Sequence, residues 1–338
     1  MRRARTLAAL SALAAVLALS LSLVACSGSD EGDGGDASAS PQAQAYTIGI
    51  TQIVTHPALD ASVEGFKQGL AEKGFTNVTY EVKNAEGDMA TASSIAQAFA
   101  SEDLDLILGV ATPTSQAVAK AVTTTPIVFT AVTDPVGAGL VDDPEAPGAN
   151  VTGVSDMLPV KPHLDLIKQI VPDVKTIGVL YNAGEANSVF SVEQEKKAAA
   201  AMGLKVVEAT ASNSSEVKAA ADSLVGRVDA ISVLTDNTVV SALESVVKVC
   251  QQNDIPLISG DTDSVKRGSA AAYAFDYKDL GVQAGYIAAE ILSGTPIAEI
   301  PVQFAESLQL SVNPASAKAM GVTLPEDVLA KADNIFGE

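Results

Sequence analysis

A long internal repeat constrains this chain more than any other feature. Thr47-Ile48-Gly49-Ile50 recurs as Thr176-Ile177-Gly178-Val179, Pro126-Ile127 as Pro256-Leu257, and Thr133-Asp134 as Thr262-Asp263. The three pairs keep one order and a nearly constant spacing of about 130 residues, too long for a solenoid unit and suited to a duplicated domain.

Each copy alternates short β-rich runs with helical segments. In the first copy the runs 47–50, 78–80, 104–110 and 127–130 enclose helical segments 59–73, 89–100 and 114–121. In the second, runs 177–181, 205–209, 230–234 and 257–259 enclose 188–202, 215–224 and 238–252. A βαβ rhythm demands a parallel sheet covered on both faces, and Ile, Val and Leu without alternation are what double coverage selects. The fold class is therefore α/β, with two doubly wound parallel-sheet lobes. Beyond the second copy the chain adds a helical stretch 277–292, a short strand 309–312 and a final helix 314–320. The simplest path for it crosses back to the first lobe and returns, giving a three-strand hinge near Gly153, Ala274 and Ile300. The expected lobes are then 46–153 plus 275–299 and 154–274 plus 300–338, with a ligand held between them.

The first 45 residues read differently. Arg2, Arg3 and Arg5 precede an apolar run at 7–19 that ends in Leu23-Val24-Ala25-Cys26. This boundary resembles the lipobox of bacterial lipoproteins, so 1–25 is expected to be a signal peptide, with Cys26 carrying the lipid. Residues 26–45 are mostly Ser, Gly, Asp and Ala, with one Pro and little to bury, as in a flexible tether. No later segment is apolar for the roughly 20 residues that a spanning helix needs. The net charge is −20 at pH 7, which disfavours nucleic acid as a partner. The other cysteine, Cys250, lies in a helical stretch and reads as a small buried apolar residue.

In parallel α/β sheets ligands sit beyond the carboxyl ends of the strands, and this sequence concentrates polar residues there. After the third run of the first copy come Thr112, Thr114 and Ser115 around Pro113, a helix start whose amides and hydroxyls suit an anionic group. The matching place in the second copy holds Asp236 and Asn237. Thr133 and Asp134 follow the fourth run, and Asp261 follows its counterpart. Asn182, Glu185, Asn187 and Ser188 follow the first run of the second copy, matched in the first by a loop holding Gln52 and His56. Asp236, Asp261 and Glu185 each offer a partner for an ammonium group. Both signs of charge together suit a zwitterion. The other histidine, His163, follows Pro162 and reads as a surface residue.

The strings 109–116 (GVATPTSQ), 126–140 (PIVFTAVTDPVGAGL), 150–156 (NVTGVSD), 176–188 (TIGVLYNAGEANS), 234–238 (LTDNT) and 261–268 (DTDSVKRG) form a set. They resemble the ABC-transporter substrate-binding lipoproteins of the tryptophan/tyrosine-binding type, from about Tyr46 to the end. The resemblance implies a type I periplasmic-binding-protein fold, a Venus flytrap that captures an amino-acid-like solute. It also implies delivery to a permease and its ATPase from outside the cytoplasm, on the membrane. In that wider fold, 112–115 serves the ligand carboxylate and Asp261 its ammonium. An aromatic or other apolar L-amino acid, a monomer, and neither cofactor nor metal are the expectations.

A ligand-presenting sensor for a membrane receptor uses the same fold and stays open as an alternative. An enzyme is not expected, because the chain has no phosphate loop, nucleophile elbow or Cys/His metal spacing. A hydrolase using Asp134, Asp236 and Asp261 across a cleft is the remaining enzymatic reading. Turnover against saturable binding separates the two.

Overall fold

The computed structural model describes residues 44–148, 150–305 and 307–337. Cys26, the leader and nearly all of the expected tether lie outside the described residues.

The first half runs β1 (Tyr46–Gln52), α1 (Pro57–Glu72), β2 (Val78–Asn84), α2 (Met89–Phe99), β3 (Leu106–Val110), α3 (Thr112–Ala121), β4 (Ile127–Val132) and β5 (Val151–Ser155). The second half repeats it with α4 (Val160–Ile170), β6 (Thr176–Tyr181), α5 (Ala186–Ala201), β7 (Lys205–Thr210), α6 (Val217–Asp222), β8 (Ala230–Val233), α7 (Asn237–Ser241), α8 (Leu243–Gln252), β9 (Leu257–Ser259), α9 (Thr262–Lys266) and β10 (Ala271–Ala274). Then follow α10 (Tyr277–Leu292), β11 (Gln303–Phe304), β12 (Gln309–Val312), α11 (Pro314–Ala319), α12 (Glu326–Lys331) and β13 (Asn334–Ile335).

The duplication is visible in the strand orders. One sheet runs β11-β5-β4-β3-β1-β2 and the other β13-β12-β10-β9-β8-β6-β7. Within each copy the pairing is parallel, with β1 between β2 and β3, and β6 between β7 and β8. Central strands such as β3, β4 and β5 are buried along their whole length, while the outer strands β2 and β7 are half exposed. That contrast is what cover by helices on both faces produces.

Local chemistry starts the helices. Asp88, Asp236, Asp261, Asp276 and Asn313 each accept a hydrogen bond from a first-turn amide, of Thr91, Val239, Ser264, Lys278 and Ser316 respectively. These caps satisfy amides that a helix start leaves unpaired. The stretch expected as one helix over 238–252 is two, broken at Ala242 between α7 and α8.

The chain crosses between lobes three times: at 156–159, at 275–276 and between β11 and β12. The third crossing falls later than expected. Ile300 is buried in the N-terminal core, its carbonyl accepts the Thr152 hydroxyl at 2.9 Å, and β11 adds to β5. The chain thus stays with the first sheet until after Phe304. Gly153 likewise lies inside β5, where a Cβ would meet the Phe129 carbonyl oxygen at 2.2 Å.

The return of α10 to the first lobe rests on four glycines. Gly65 and Gly69 on α1 face Gly281 and Gly285 on α10, and a Cβ at Gly65 or Gly281 would stand 2.0 Å from the backbone oxygen of Lys278 or Ser62. The two helices therefore pack backbone to backbone, with Phe66, Leu70, Ala284 and Ile287 filling the core beside them.

Candidate functional site

A nearly closed cavity of about 20 Å³ lies between the lobes, at the carboxyl ends of both sheets, far smaller than occupied small-ligand sites (~300 Å³ upward), so the lobes must part to admit a ligand. The first lobe contributes His56, Ala58 and Leu59 at the start of α1, and Ala131 at the end of β4. The second contributes Asn187 at the start of α5, Thr235, Asp236 and Asn237 after β8, Val240 on α7, and Asp261 after β9. The crossings supply Asp156 and Tyr277. Three carboxylates border this space and no Lys or Arg does.

Five of the fourteen expected residues line it, His56, Asn187, Asp236, Asn237 and Asp261, and these are largely engaged already. Asp236 accepts from the amides of Val239 and Asn182 and from the Ser188 hydroxyl, at 2.7, 2.6 and 2.6 Å. Burial, and then the nearby Glu185 charge, raise its pKa. Asp261 receives both the amide and the hydroxyl of Ser264. Burial raises its pKa, and the two Ser264 bonds, with Arg267 behind them, counter in part. Glu185 caps the turn into α7, accepting from the amides of Asn237 and Thr238 and from both their side chains. Asn182 bonds Thr238 and Gly184 and so shapes the same corner.

The first lobe differs more from expectation. The Thr114 hydroxyl donates to the Val110 carbonyl and the Ser115 hydroxyl to the Ala111 carbonyl, so both turn back into their own helix. Of the three residues expected at this helix start, Thr112 keeps a buried hydroxyl without a partner, as does Thr51 at the end of β1. Gln52 binds the Val54 carbonyl and the Asp60 carboxylate and holds the β1–α1 loop. Asp134 accepts from the Gly137 amide in a half-buried turn and borders a separate recess with Gly184, Glu185 and Phe190. His56 caps α1 through Nδ1 at 3.4 Å, and burial lowers its pKa to about 4, so it is neutral at pH 7.

Sequence reasoning named Thr133 but missed its partners at the crossings. Asp156, 2 % exposed, accepts from Thr133 Oγ1 at 2.9 Å and from Tyr277 OH at 2.6 Å, while Thr133 also meets Thr235 of the other lobe at 3.3 Å. Burial raises the pKa of both Asp156 and Tyr277. The available signal was an acid directly after an apolar strand in 150–156; nothing marked Tyr277. Near them Ala131 has φ 56°, and the β4–β5 register slips between Phe129 and Val132. Ala111, entering α3, has φ 75°. Left-handed alanines and bulges concentrate where backbone is shaped for a ligand.

His163 is not on the surface. It is fully buried on α4, 2.9 Å from the Ser232 hydroxyl, and the same hydroxyl favours the charged form of the buried Glu195. Burial lowers the His163 pKa to about 4 and raises that of Glu195 to about 7.

Two doubly wound lobes of 2-1-3-4-5 strand order, linked by three crossings over a cavity, define a type I periplasmic-binding-protein fold, the architecture of proteins that capture small solutes. The chain belongs to the family of ABC transporter substrate-binding proteins, whose family model matches residues 47–336. It is 42 % identical over 276 residues, 81 % of this chain and 80 % of the relative, to a tyrosine-binding protein of Clostridioides difficile. It superposes with a TM-score of 0.84 on an ABC domain from Streptococcus pneumoniae in complex with L-Trp, at 36 % identity over 87 % of this chain and all of that one. Against a ligand-free, open substrate-binding protein with adhesive properties from Clostridium difficile the TM-score is 0.65, at 40 % identity and the same coverage. The more similar sequence superposes less well. The lobes here are thus arranged more like those of the L-Trp complex than those of the open form.

Proposed function

We propose that this chain is the extracytoplasmic, lipid-anchored binding component of an ABC importer for an aromatic L-amino acid, which it holds in the interlobe cavity and passes to the permease. The observation that carries the ligand class is the acidic cavity. Three buried carboxylates without a basic neighbour on the wall call for a cationic group, because a charge taken from water needs a partner. The relatives with tyrosine and tryptophan in their descriptions support the aromatic side chain. The carboxylate of the ligand faces the first lobe, where helix starts offer amides and Thr112 a free hydroxyl.

Calorimetry with the twenty amino acids tests this reading. Tight binding is expected of tryptophan or tyrosine in the L form, and weak binding of the N-acetyl and methyl ester derivatives. Equal binding of the blocked and free forms would show that a different solute class occupies the cavity.

A further inference from the structure

Of the three carboxylates on the cavity wall, one differs from the others in how it is held. Asp236 is fastened by two backbone amides and a hydroxyl, and Asp261 by the two donors of Ser264, as caps of α7 and α9. Their bonds serve local structure, and Arg267 lies near enough to favour the charge on Asp261. Asp156 caps nothing. Its two donors are hydroxyls of Thr133 and Tyr277, which rotate, so its oxygens can turn to a stronger donor without breaking a helix start.

A second observation on the same wall points to a ligand. Asn187 is 4 % exposed and lines the cavity. Its amide nitrogen is used three times, by the Thr235 carbonyl at 2.8 Å and by Glu185 and Ser188 at 3.2 Å. Its Oδ1 is buried with no partner. A buried acceptor left without a donor is costly, and a donor from a bound molecule removes the cost.

Resting on the amino-acid reading above, we infer that Asp156 and Asn187 Oδ1 together receive the ligand's ammonium group, and that this contact reports occupancy to the hinge. Asp156 stands on the first crossing, Tyr277 opens the element after the second, and Thr133 joins Asp156 to Thr235 of the opposite lobe. Asn187 belongs to the second lobe. A cation between Asp156 and Asn187 therefore bridges the lobes at the place where they turn. Asp261, the residue expected from resemblance, acts as a helix cap.

The test compares L-tryptophan and L-tyrosine with their des-amino analogues, the aryl propionates, by calorimetry. For Asp156→Asn, affinity for the amino acids should fall at least about thirtyfold, as for truncating one member of a buried charge pair, while that for the analogues changes less than about threefold. Asn187→Leu should show the same selectivity in smaller degree. Asp261→Asn should weaken amino acid and analogue alike. If Asp156→Asn weakens both ligands equally, or neither, the assignment is overturned. Should that variant fail to fold, Asn187→Leu decides, since unchanged discrimination between amino acid and analogue overturns it equally. Wild-type protein that binds no aromatic amino acid fails earlier, and brings down the underlying reading rather than the choice among carboxylates.

Discussion

Tyr277 donates its phenolic hydrogen to Asp156 at 2.6 Å, and this bond ties the first crossing between the lobes to the second. The two residues are far apart in sequence and both are buried. A hydrogen bond to a charged group contributes about 1.5–3 kcal/mol, so Tyr277→Phe should lower folding stability by that order in urea titration. An unchanged midpoint would mean that the bond does not hold in solution.

The α1–α10 contact gives a second expectation. A methyl at Gly281 must displace the Ser62 carbonyl, 2.0 Å away. Overpacking costs about 1–3 kcal/mol, whereas alanine gains about 1 kcal/mol over glycine as a helix former. Gly281→Ala should therefore be neutral to destabilising, and Gly281→Leu should lower the melting temperature strongly. A gain in stability from leucine would show that the helices do not touch there.

Glu195 supplies a pH dependence. Burial raises its folded pKa to about 7 from the usual 4.5, so the native state holds a proton that the unfolded chain releases. The associated stability is present below about pH 4.5 and is lost as pH rises through about 7. Linkage makes this about 3 kcal/mol. Glu195→Gln stays neutral throughout. It should gain stability relative to wild type as pH rises from 4.5 to 8 in thermal melts, and a constant difference across that range would refute the buried protonated acid.

Cys26→Ser should leave the body folded, since β1 begins at Tyr46, and should release the protein from membranes. One acyl chain binds only marginally, so stable retention needs more than one. Fractionation of cells with metabolic labelling by a fatty acid checks this; a variant still labelled and retained would remove the lipid assignment.

The fold was legible because duplication and double burial leave local traces. The repeat of Thr47 to Ile50 at 176–179 and the unalternating runs of β3 and β4 require covered parallel sheets whatever the rest does. Asp236, Asp261 and Asn187 were legible as cavity residues because the carboxyl ends of strands are a place that sequence reveals. Their bonds were not, since whether a carboxylate caps its own helix or faces a ligand depends on backbone direction within a few residues. Thr114 and Ser115 turned inward for that reason. The group at the hinge depended on tertiary structure altogether. Asp156 and Tyr277 meet only after the chain has left the first lobe, built the second and returned, and His163 reaches Ser232 only once α4 lies on its sheet. Contacts of that range carry no periodicity, because loop closure and packing, not local propensity, bring the partners together.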